Sequence, residues 1–141
     1  TYLKQDSTVL NFMNKIIVEV SIGELLDKIS ILEIKQEKIK DPEKLKFTCN
    51  EHSILKNQLE NNIKSDDKLN ELFQSLKEIN AKLWVIEDDK RQCEKDKDFG
   101  DKFIKLSRDV HFLNDDRAKI KLEINNHTGS VIKEIKEYTS Y

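Results

Sequence analysis

Two apolar rows limit what this chain can fold into. Leu69, Leu72, Leu76, Ile79, Leu83 and Ile86 step by three and four, and Phe103, Leu106, Val110, Leu113, Arg117, Ile120 and Ile124 repeat the step. Such spacing gathers each row on one face of a helix, and a helix with such a seam must pack on another helix. Between the rows lies "KDKDFGDK", where Gly100 is free to take the positive φ of a turn and Asp101 can cap the next helix. The expectation is a long antiparallel hairpin, its first helix about 45 Å long for roughly 30 residues.

The rest of the chain must cover that hairpin, because two helices cannot bury both seams and Trp84 by themselves. "NKIIVEV" is β-branched from Ile16 to Val20 and reads as a brief strand. Ser21 with Glu24 three residues on forms a capping box, in which hydroxyl and carboxylate each satisfy an otherwise unpaired N–H. The helix it opens carries Ile22, Leu25, Leu26, Ile29, Leu32 and Ile39 on a broad face, expected to sit in the hairpin groove. It should stop at "KDPEK", where Asp41 caps a second helix and Pro42 takes its first position. That second helix is thinner in apolar residues (Leu45, Ile54, Leu55, Leu59, Ile63) and is expected outermost. The tail "SVIKEIKEYTSY" reads as an extended segment able to pair with "KIIVEV". The fold class is therefore all-α: a hairpin with N-terminal helices packed on it and a short β pairing of the ends.

Composition agrees with long helices and removes several function classes. Gly 3 and Pro 1 leave few interruptions, and a charged share of 37% suits solvated outer faces. The 25 basic and 27 acidic residues are interspersed, with no basic stripe to follow a phosphate backbone, so nucleic-acid binding is not indicated. No apolar run approaches membrane-spanning length, and the start lacks the features of a secretory signal. Cys49 and Cys93 are far apart and outside metal-ligand spacing, which fits reduced thiols in a cytoplasmic protein and gives no metal or other cofactor.

Arg117 is the one residue that interrupts the second apolar row. A guanidinium at a seam position needs a carboxylate, since an unpaired charge in low dielectric is costly. If the chain turns near Gly100, Arg117 lies level with Leu83 and Trp84, and Glu87 is one turn away. Asn114 can reach the same layer, and a buried indole N–H wants an acceptor. Asn80, Trp84, Glu87, Asp88, Arg91, Asn114, Asp115 and Arg117 therefore form a candidate polar layer or ligand site, with Glu87 as the expected partner of Arg117. A register-fixing buried network is the plainer reading of the same residues.

"VEVSIGELLDKISILEIK", "INAKLWVIEDDKR", "NDDRAKIKLEIN" and the closing "TGS" together resemble an uncharacterised bacterial family known only as a domain of unknown function. The blocks N-x-x-LW-x-x-ED-x-x-R and ND-x-R are also similar to a second uncharacterised helical family. The resemblance runs from Met13 to Tyr141 and implies that Asn80, Leu83, Trp84, Glu87, Asp88, Arg91, Asn114, Asp115, Arg117 and Asn125 fit the family pattern. It implies that Met13 is the natural start, with residues 1–12 either upstream sequence read through or a genuine extension, and with no repeat or linker in the chain residues 13–141 read as one helical domain. It brings no activity; some relatives accompany genes for sugar transfer and cell-surface polysaccharide, an association without mechanism.

Three functional readings follow. The first is a cytoplasmic helical interaction or assembly module with a protein partner or a second copy, through an exposed seam. The second is a site for a small anionic or sugar-nucleotide ligand built on Arg91, Arg117, Glu87 and Trp84. The third is a Mg²⁺-dependent nucleotide pyrophosphohydrolase, for which Glu24-x-x-Asp27 and Glu134-x-x-Glu137 have the one-face spacing that metal ligands need. Their order is wrong for that class, and the doubled glutamate before the first pair is missing. Nucleophilic catalysis has no candidate, and His52, His111 and His127 have no zinc-helix arrangement.

Overall fold

The structure is a computed structural model and describes residues 14–141. The proposed N-terminal extension and Met13 lie outside the described residues. Four helices follow in order: α1 (Ile22–Lys38), α2 (Pro42–Asn62), α3 (Asp67–Asp96) and α4 (Asp101–Thr128). α3 and α4 pack against each other as the hairpin, α1 packs on both, and α2 packs on α1. The fold is all-α, as the two seams require.

Side chains placed by the sequence start the first three helices. Ser21 Oγ accepts the Glu24 N–H at 3.0 Å, Asp41 accepts that of Lys44 at 2.9 Å, and Asp66 accepts that of Leu69 at 2.7 Å. Each satisfies one of the N–H groups that a helix start leaves without a partner. Only half of the expected capping box forms, because the Glu24 carboxylate turns to the Lys121 ammonium at 2.7 Å. A cation offers that carboxylate more than a backbone N–H does.

The hairpin turn differs in detail from its sequence reading. Lys97, not Gly100, holds the left-handed conformation at φ 57°, while Asp98 N–H returns to the Cys93 carbonyl at 2.9 Å. Gly100 precedes α4 at φ −81°, and α4 starts without a side-chain cap. Asp98 Oδ1 takes the Gly100 N–H at 3.1 Å, so the acidic group before the glycine closes the turn in place of Asp101. At the far end Gly129 is left-handed at φ 67°, where glycine costs least.

Leu26, Leu69, Leu72, Leu76 and Ile124 form the buried core, with Ile22, Leu59, Ile63, Phe73 and Ile120 packed against it. α1 lies in the groove as expected, but only at the open end of the hairpin. Among the described residues, its side-chain hydrogen bonds to the hairpin reach Lys77, Asn80, Arg117, Lys121 and Asn125 and no further toward the turn. Asp27 meets Asn80, and ten residues later Glu37 meets Lys77, which is only three residues back. About 15 Å along α1 thus spans about 4.5 Å along α3, so α1 runs across α3 more than along it. The rest of the hairpin projects as a two-helix arm.

The β pairing of the ends does not form, and there is no strand among the described residues. The tail instead runs back along α4, drawn there by Glu134 on Lys121 at 3.1 Å and by the Tyr141 hydroxyl on Asp115.

Candidate functional site

A polar layer forms at the open end of the hairpin, and α1 supplies its centre. The positions Gly23, Asp27, Ser30 and Ile34 are spaced four, three and four, a stripe facing the hairpin junction, and all four are buried. Gly23 is there because nothing larger fits: a Cβ on it would lie 2.6 Å from the Lys121 carbonyl oxygen and 2.9 Å from Asn125 Oδ1. That closeness lets Gly23 N–H donate to Asn125 Oδ1 at 2.7 Å, while Ile22 N–H donates to Ser130 Oγ at 3.1 Å. With Glu24 N–H on Ser21, the first three N–H groups of α1 are satisfied by side chains, one of them from the last turn of α4 and one from Ser130 just beyond it. The α1 N-terminus is a docking joint in this fold, with its donors already used.

One turn on, Asp27 is 1% exposed as a residue and carries the layer. Arg117 donates to both its oxygens, from Nε to Oδ1 at 3.0 Å and from Nη2 to Oδ2. Asn80 donates its amide to Asp27 Oδ1 and Ser30 Oγ, each at 2.8 Å, and Ser30 donates to the Asp27 carbonyl at 2.8 Å. Lys121 Nζ lies 3.7 Å from Asp27, 2.7 Å from Glu24 and 3.1 Å from Glu134. A carboxylate from α1, an amide from α3 and two cations from α4 thus meet where three helices cross.

The charges settle one another. Burial pushes the Asp27 carboxyl up, but hydrogen bonds from Arg117 and Asn80 and the charges of Arg117 and Lys121 outweigh it, so its pKa falls below the usual carboxylate value. The bond to Asp27 outweighs the effect of burial on Arg117 and holds its guanidinium above its usual value. Burial lowers Lys121, yet its bonds to Glu24 and Glu134 and the nearby Asp27 charge raise it overall. Every principal group is ionised at neutral pH and matched by an opposite charge. A layer in that state fixes register, and it offers neither a free base nor an unpaired cation to a ligand.

Of the sequence candidates, the structure brings together Asn80 and Arg117, with Asn114 at the rim, its Oδ1 3.4 Å from Arg117 Nη1. Glu87 does not pair with Arg117; it is exposed, as are Asp88 and Arg91. Asp27 takes the guanidinium because α1 delivers a buried carboxylate into the groove, whereas Glu87 lies beyond Asn80 toward the turn. Trp84 is half-buried and outside the network, and Asp115 accepts the Tyr141 hydroxyl at the end of the tail. The acidic groups after the tryptophan therefore form a solvated face of the arm.

Asp27, Ser30, Lys121 and Asn125 did not stand out from the seams, although the small and polar stripe within the apolar face of α1 was a readable signal for the first two. Glu24, Asp27 and Glu134, members of the two metal-like spacings, do converge, but around the ammonium of Lys121. Among the described residues there is no group of three or more His, Cys, Asp or Glu side chains arranged to hold a metal ion.

The architecture defines a class: a helical hairpin whose open end is locked to a crossing helix by an ion-paired layer. The chain belongs to a family of unknown function, DUF6165, whose family model matches residues 16–141. No curated protein and no solved structure matches it. No helix of the described residues is long and apolar enough to cross a membrane.

Proposed function

We propose that this protein is a cytoplasmic helical assembly module whose arm pairs with the arm of a second copy. The observation that carries the reading is the apolar surface left on the arm: Val85 is 49% exposed, Ile104 53% and Phe112 40%. Ala81, Val85, Ile86, Phe112 and Leu113 line a groove of about 600 Å³ between α3 and α4, with Lys82 on one rim and Asp109 on the other. A twofold axis over such a groove sets Lys82 of each copy against Asp109 of the other, the self-complementary arrangement that an isologous contact needs. Lys105 of the same chain, 2.5 Å from Asp109, would share that carboxylate with the second copy's Lys82. Clustered apolar surface rimmed by charge marks an interaction site more often than a neutral surface.

A small anionic or sugar-nucleotide ligand is the weaker reading, because Arg117 is engaged by Asp27 and Arg91 is exposed on the arm, outside the network that holds Arg117. Sedimentation equilibrium tests the proposal. The wild type should weigh twice one chain, and Val85→Lys with Phe112→Lys should return it to the mass of one. A wild type that remains single at high protein concentration would overturn the reading.

A further inference from the structure

Only residues 63–66 join α2 to α3, yet the two helices do not pack on each other. They diverge over α1 and leave a slot between them. Leu59 and Ile63 line it from the α2 side, Leu69 and Phe73 from α3, and Leu26 from α1. Its volume is about 170 Å³. An apolar cavity of about 150 Å³ lined by Leu, Ile and Phe takes up benzene. The slot therefore has room for one aromatic ring or one branched aliphatic side chain.

The placement of α2 explains why the fold leaves this space open. Thr48 is the one buried residue of that helix, and its packing is on α1 alone. Leu59, Ile63 and Phe73 consequently reach only partial burial at the edge of the core. Apolar walls that face each other without touching forgo dispersion contacts, and a guest of matching shape restores them.

The mouth of the slot carries one group of each sign. Lys56 and Glu60 stand on α2, with Ser65 and Asn70 at the start of α3 opposite them. Lys56 is half-buried, and among the described residues neither it nor Glu60 forms an ion pair. Lys ahead of Glu by four residues is the less favourable order for pairing along a helix. Ser65 Oγ donates to Asn70 Oδ1 at 2.8 Å, which leaves the Asn70 amide nitrogen as a further donor. A simple anion at this mouth meets Glu60, and a simple cation meets Lys56. A guest that bears a carboxylate and an ammonium on one carbon, with an apolar side chain beneath them, answers both charges and fills the slot.

We propose that the slot between α2 and α3 binds a free α-amino acid with an aromatic or branched aliphatic side chain. Its carboxylate goes to Lys56 and the Asn70 amide, its ammonium to Glu60, and its side chain between the leucines over Leu26. The guest links α2 to α3 where the chain itself does not, so binding stiffens the end of α2. The slot lies at the open end of the hairpin, away from the arm groove, and its occupancy is independent of any pairing between arms.

Titration of the full chain followed by nuclear magnetic resonance tests the site, with probes that share one ring. These are L-phenylalanine, 3-phenylpropionate without the ammonium, phenethylamine without the carboxylate, and toluene with neither. Phenylalanine should shift the amide signals of Leu59, Ile63 and Leu69 saturably at millimolar concentration, and bind several-fold more tightly than each analogue. Lys56→Met should weaken phenylalanine and phenylpropionate several-fold and leave phenethylamine unchanged. Glu60→Gln should weaken phenylalanine and phenethylamine and leave phenylpropionate unchanged. Both side chains lie at the mouth outside the core, so neither substitution disturbs the fold. No saturable shift with phenylalanine would overturn the proposal, as would shifts confined to the arm. Equal affinity for all the probes would overturn it too, since the slot would then be a cavity for any ring. Sedimentation of the arm variants is a separate measurement, so failure here leaves the arm reading standing.

Discussion

The open end of the hairpin and its arm are built from the same three-and-four spacing, on the same two helices, yet they are different materials. At the open end, Leu69, Leu72, Leu76 and Ile124 are at most 5% exposed, and the ion-paired layer lies among them. Along the arm, from Ala81 to Asp116, only Leu83 and Cys93 are buried apolar side chains among the described residues. A third helix makes the difference. Two helices in contact shield only the line between them, and a seam wider than that line stays half in water until another element covers it. Heptad spacing therefore guarantees that two helices meet; it does not guarantee that a core forms.

The largest expected effect is at the layer. Asp27→Ala leaves the Arg117 guanidinium and the Asn80 amide without their shared acceptor, and breaking a buried pair from one side costs about 3–5 kcal/mol. For a chain of this size that lowers the melting temperature on the order of 10 °C. Arg117→Leu alone should be nearly as harmful, while Asp27→Ala combined with Arg117→Leu should cost less than the two singles added. Additive losses in that cycle, measured by urea unfolding, would mean that the two groups are not coupled.

Next in size is Gly23→Ala, expected to cost about 1–3 kcal/mol because the added methyl must displace the Lys121 carbonyl. Its companion effect is on pH. The Asp27 pKa is lowered in the folded state, so its contribution is present above the ordinary carboxylate value of about 4 and is lost as pH falls through the lower, folded value. Acid titration of the wild type should show stability falling over that interval, and Asp27→Asn should flatten the fall. An unchanged acid limb in that variant would remove Asp27 from the account.

Much of this was legible in the sequence, and the parts that were not share a cause. The hairpin, the start of α1 at Ser21, the break at Pro42 and the seating of α1 in the groove follow from local pattern and chain length. That Arg117 needs a carboxylate also follows, because a charge at a seam position cannot be left alone. Which carboxylate it finds depends on where α1 crosses, and no spacing within α3 or α4 encodes that angle. Gly23 decides it, since only a residue without a side chain lets α1 approach the α4 backbone so closely, and a lone glycine inside a helical pattern gives little sign of its use. The exchange of Gly100 for Lys97 at the turn has a different origin. The left-handed residue falls where the last carbonyls of α3 need an N–H to return to, and the sequence alone leaves that register open by a few residues.

The smallest effects belong to the arm, and they separate the two regions most sharply. Glu87→Gln removes the charge first expected to hold Arg117, yet Glu87 is exposed and the guanidinium is already bonded on two nitrogens to Asp27. The stability of one chain should change by no more than about 0.5 kcal/mol, and an Asp27→Asn background should not enlarge the change. Phe112→Lys should be similarly mild when measured at concentrations too low for association, because that ring is already 40% exposed. Any loss that grows with protein concentration then comes from contact between copies rather than from the fold. A large loss at low concentration would mean that the arm is held by its own seam after all, and the contrast between two helices and three would no longer explain this molecule.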